Sequence, residues 1–127
     1  MSSFFLISLT ACFLHEAPAI NRDQVAQWID DATMETITHA NAENTDRALE
    51  AWAATQSHFE TNMEPALRYY ITDQRRVTAL EYRIGRIRDL IESQNFDRAE
   101  VQALAFLDEL ADAAAIIPMP PVDALTH

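Results

Sequence analysis

Two groups of residues have the types and the spacing for chemistry. Glu35 and His39 stand four positions apart, which on a helix puts a carboxylate and an imidazole on one face. Such a pair can supply part of a metal site. A di-iron bundle, however, needs Glu-x-x-His on two helices plus two further inward carboxylates, and this chain has no second copy of the motif. The favoured reading of His39 is therefore a boundary histidine held by Glu35, with zinc ligation by the two residues and groups elsewhere as the alternative. His58 falls opposite Leu49 and Trp52 on its helix and is expected to be solvated. The second group is Arg75, Arg76, Arg83 and Arg86, which share one flank of a helix while Glu81, Asp89 and Glu92 take the other. Guanidinium groups bind carboxylates and phosphates in a planar fork, so this stripe could meet anionic headgroups, a polysaccharide or an acidic protein. The competing and favoured reading is intramolecular. Bundle helices match charges along their edges, and Asp108, Glu109, Asp112 or the acids of the first helix could supply the partners.

Other chemistry has no foothold. The one glycine, Gly85, lies inside an expected helix, which leaves no phosphate-cradling loop. It lies off the apolar seam, where a kink or a contact with another chain would account for it. No serine sits in a glycine-flanked turn. The pattern therefore implies no catalytic residues, no cofactor and no enzymatic activity. Twenty acids against nine arginines, with no lysine, leave a formal charge of −11. That balance disfavours nucleic acid as a partner.

The elements that must position these residues are helical. A chain of 127 residues suggests one domain, and its single glycine and many alanines favour helices over a sheet with tight turns. The expected fold is all-α: an antiparallel up-down-up-down four-helix bundle over residues 21–115, its second helix kinked at Pro65. Asn21 can cap the first helix, whose inward arc is Val25, Trp28, Ile29, Ala32 and Thr36. Thr45 can cap the second, with Leu49, Trp52, Ala53, Gln56, Phe59 and Met63 inward and Leu67 and Tyr70 continuing in phase past Pro65. Thr72 can cap the third, where Val77, Leu80, Ile84, Ile87 and Ile91 make a narrow seam. Asp97 with Glu100 reads as a capping box for the fourth, and Phe96 with Val101 as a hydrophobic staple. Leu104, Phe106, Leu107, Leu110, Ala111 and Ala114 form its apolar face.

Outside the bundle, residues 1–11 read as a signal segment, 12–20 as a tether and 116–127 as a proline-rich tail. Leu9-Thr10-Ala11-Cys12 resembles the lipobox of bacterial lipoprotein signal peptides, although no Lys or Arg precedes it and the apolar core from Phe4 to Leu9 is short. The resemblance implies lipidation of Cys12, the only cysteine, and hence export to the cell envelope with a membrane anchor. In that family Phe13 after the cysteine would allow delivery to the outer membrane, facing the periplasm; the expected partner of such an interaction protein is an unidentified envelope protein. The alternative is a buried N-terminal segment with Cys12 as an inert thiol. Eight extended residues would keep the body within about 28 Å of the bilayer. The tail around Pro118, Pro120 and Pro121 is expected to fold over the end of the bundle, or else to present an extended strip to a partner.

The closing helical pair, Leu80 to Ala115, also resembles bundles of the cytochrome b562 type, and Thr33-Met34-Glu35-Thr36 looks like the stretch that supplies their methionine haem ligand. That family's second ligand is a histidine near the end of its last helix, and none lies between Asp97 and Ala115. The resemblance therefore implies the architecture without haem. A small-ligand, haem or metal carrier using the bundle interior is the functional alternative to a structural or interaction protein.

Overall fold

Asn21 opens the first helix, accepting the Gln24 backbone N–H on its side chain at 3.2 Å. In the computed structural model, which describes residues 19–119, α1 then runs over Arg22–Asn41. The signal segment, Cys12, most of the tether and Pro120 to His127 lie outside the described residues. The next helix starts one position before Thr45 would start it. Asn44 is the cap, its side chain accepting the Arg47 N–H, and α2 spans Thr45–His58. A π-helical turn, Phe59–Met63, joins it to α3, Glu64–Tyr70, with Pro65 in the first turn of α3. The Glu64 N–H reaches back to the Phe59 carbonyl, so the turn ahead of the proline already departs from α-helical bonding. Asp73, rather than Thr72, caps α4 over Gln74–Glu92. Finally α5 covers Phe96–Ala114. With α2, the π turn and α3 counted as one, there are four helices and no strand among the described residues.

Two of the connections share a device. After α1, Glu43 takes a left-handed backbone (φ 58°), and after α4, Gln94 does the same (φ 63°). The Glu43 and Asn44 N–H groups bond to Ala40 and His39 carbonyls, and those of Gln94 and Asn95 to Ile91 and Leu90. These are Schellman motifs, which normally place glycine at the left-handed position. The second motif also displaces the expected capping box. It moves the start of α5 forward to Phe96, leaving Asn95 as a cap without a side-chain bond and Asp97 inside the first turn. Val101 is 63% exposed, so no staple forms, and Phe96 packs against the core instead.

The bundle closes as a ring in which α1 lies against α2 and α5, while α4 lies against α5 and α2. The seam of Val77, Leu80, Ile84, Ile87 and Ile91 is buried as its spacing predicts. Trp52, Phe59 and Phe106 fill the centre edge to face, with ring centroids 5.8 and 6.2 Å apart. The Trp52 indole donates to the Ile84 carbonyl at 3.0 Å, which satisfies its buried N–H. The other faces are rotated from expectation. On α1, Val25, Ile29 and Thr36 are buried but Trp28 is not, and Thr33, Ile37 and Ala40 take the inner positions. On α2 the small residues Ala48, Ala51 and Thr55 are inside, while Ala53 is exposed. On α5 Ala99, Ala103 and Ala113 are buried, while Ala111 is exposed and Leu104 is largely outside. Small side chains permit close approach between helices, so they occupy the contact and push the larger ones to its edge. Thr33 and Thr55 use that closeness to share a hydrogen bond at 3.2 Å in full burial.

The described part of the tail folds back. Ile117 is buried, and the Arg22 guanidinium donates to the Ala115 carbonyl at 2.8 Å and to that of Ile117. One arginine thus ties the start of the first helix to the end of the last.

Candidate functional site

The outer groove between α4 and α5 gathers what the sequence analysis saw only from one side. It has a volume of about 680 Å³ and is lined on α4 by Gln74, Arg75, Thr78, Ala79, Tyr82, Arg83 and Arg86, and on α5 by Arg98 and Gln102. Four of its nine lining residues are arginines and none is acidic, in a chain where acids outnumber arginines twofold. Tyr82 is 74% exposed beside Ala79, giving the groove an apolar middle between cationic groups.

The four expected stripe residues each have a different environment. Arg83 is engaged internally, donating to Glu109 at 2.8 Å and to Gln102 at 2.7 Å. Arg75 pairs with Asp73 at 3.0 Å while 92% of its side chain stays in solvent. Arg75 donates from its side chain and from its backbone N–H to Asp73, which holds the Asp73 carboxyl below its ordinary value and raises the guanidinium of Arg75. Arg76 leaves the groove and lines a separate hollow with Glu109 and Asp112. Arg86 faces the groove and has no carboxylate within 4.0 Å among the described residues. The intramolecular pairing expected for the stripe therefore accounts for Arg83 through Glu109, and does not reach Arg86 among the described residues.

Arg98 is the residue that sequence reasoning missed, and it too lacks a carboxylate partner among the described residues. It lies one turn before Gln102 on α5, the flank that meets α4. That one-turn spacing was readable, but which flank of α5 faces α4 depends on the packing of both helices.

Glu35 and His39 do come together, at 3.7 Å, as an exposed-edge pair on α1. No third His, Cys, Asp or Glu joins them, since no group of three or more such residues occurs among the described residues. Met34, the counterpart of a haem-ligating methionine in the resemblance, is 46% exposed. His58 is half-buried rather than solvated, because Trp28 covers it with ring centroids 5.6 Å apart. Trp28 thus lies on the outside of the bundle between α1 and α2. Gly85 meets no atom within 4 Å of the position of an added Cβ, so close helix approach does not require it.

No described helix is long and apolar enough to cross a membrane. No protein-family model, curated protein or solved structure matches the chain.

Proposed function

We propose that this chain is a non-enzymatic interaction protein of the cell envelope, held to the membrane through lipidated Cys12, whose contact surface is the α4/α5 groove. The observation that carries the reading is the groove itself: four arginines and no acid line it with an exposed tyrosine, and among the described residues neither Arg86 nor Arg98 has a carboxylate within 4.0 Å. In a protein of net charge −11, this local cationic patch attracts an acidic partner at short range, against the repulsion from the molecule as a whole. The envelope address rests on Leu9-Thr10-Ala11-Cys12 alone. Underneath is the up-down-up-down antiparallel arrangement, supported by short connections and by the ring of neighbours, with the second helix bent where the π turn meets Pro65.

The carrier alternative has less support, because the interior at the level of Trp52 is filled by Trp52, Phe59 and Phe106, and His39 sits at the bundle edge. Arg86→Glu with Arg98→Glu provides the test. Affinity capture from the native envelope should lose its partner in this variant while helix content is unchanged. Equal capture by the wild type and the variant would contradict the assignment. Mass spectrometry of the mature N terminus tests the anchor separately: a diacylated Cys12 is expected, and an unmodified Cys12 thiol would remove it.

A further inference from the structure

We propose that the groove's occupant is the outer face of α5 from a second copy of this chain, so that two bundles pair through α4 and α5. The inference rests on the groove being an interaction surface and adds the identity of the partner. On α4, Arg75, Ala79, Tyr82 and Arg86 recur at i, i+4, i+7 and i+11, all exposed and all lining the groove. This spacing keeps a file of side chains on one side of a helix over about 16 Å. On α5, Asp97, Val101, Leu104 and Asp108 repeat the same spacing on the face turned away from the core, and all four are exposed. One file reads cation, apolar, apolar, cation. The other reads acid, apolar, apolar, acid.

The match holds with the helices in either relative direction, because the spacing is the same read from both ends. It also closes on itself. Since α4 and α5 are neighbours in one bundle, a two-fold axis sets each copy's α4 file on the other's α5 file, and both contacts form together. The rival two-fold pairing, α4 on α4, would oppose arginine to arginine and is disfavoured by like charge. Ala79 leaves room for Leu104, and Tyr82 lies level with Val101, which is how a ridge of one helix enters a groove of another. A small ligand fits less well, because most of the lining is exposed and could not enclose it. A flat membrane surface would meet the rim arginines and miss Ala79 between them. The charge of −11 on each copy opposes pairing, so the expected dimer is weak and reversible.

Sedimentation velocity on the whole chain, expressed without lipidation and kept reduced so that the Cys12 thiol cannot cross-link copies, tests the proposal. A concentration-dependent dimer is expected. Arg75→Asp with Arg86→Asp should weaken it by about tenfold or more, as should Asp97→Arg with Asp108→Arg. The variant carrying all four exchanges should recover it, with circular dichroism showing unchanged helix content throughout. A monomer at every concentration, a dimer indifferent to the exchanges, or a four-fold variant that stays monomeric would each overturn the pairing. Binding to phosphatidylglycerol-containing vesicles that is lost in the arginine variant would also overturn it, by assigning the groove to lipid headgroups. If the chain stays monomeric yet still captures an envelope protein through Arg86 and Arg98, the second copy falls as occupant and the interaction surface stands.

Discussion

Gln94 and Glu43 hold a left-handed backbone that costs a side chain bearing a Cβ about 1–2 kcal/mol, part of which glycine would give back through its greater freedom when unfolded. Gln94→Gly and Glu43→Gly should each therefore stabilise the fold by about 0.5–1 kcal/mol, read as a raised urea midpoint. Gly85 presents the reverse case. It sits inside α4 with open space where a Cβ would go, so Gly85→Ala should stabilise by about 1 kcal/mol. A loss of stability there would contradict the open space found around Gly85. Asp73 contributes a pH dependence to stability. Its folded value lies below its ordinary one, so its contribution is present above the ordinary value of 3.8 and is lost as pH falls through the folded value. The NMR titration midpoint of Asp73 should lie below 3.8 and should rise when Arg75 is replaced by alanine.

Among the elements, the π turn and the central aromatic cluster are both fully buried at Phe59. A proline within a helix clashes with the carbonyl four residues back, here that of Thr61, but the π turn at Phe59–Met63 has already displaced that turn. Phe59 and Met63 are fully buried in it, so packing holds the turn in place. Pro65→Ala should accordingly change stability by less than about 1 kcal/mol, whereas a gain near 3 kcal/mol would show that the proline imposes the turn. Trp52→Ala removes the largest buried side chain and its bond to Ile84, and should cost about 3–5 kcal/mol. The seam of α4 was legible in the sequence because its five β-branched and leucine residues sit against polar neighbours. The inner faces of α1, α2 and α5 were less so. There alanines and threonines line the contacts while Trp28, Val101 and Leu104 lie outside, and hydrophobicity without size misassigns them. The cap of α5 was missed for a different reason: Asp97 and Glu100 imitate a capping box, but the left-handed Gln94 decides where the helix begins.

For the molecule as a whole, the distribution of charge is what separates a function from a scaffold. Half of the groove was readable as arginines on one flank of a helix. The other half, Arg98 and Gln102, became visible only when α5 was set beside α4, because it belongs to a different stretch of chain. Packing also sorted the stripe, committing Arg83 to Glu109 and leaving Arg86 and Arg98 facing solvent across the groove. Tyr82 lines the same groove and is exposed. The most direct measurement is site-specific photocross-linking from position 82 in the native cell. A single protein adduct is expected, abolished by Arg86→Glu with Arg98→Glu. An adduct that persists in that variant, or none at all from the folded chain, would contradict the groove as the working surface of this protein.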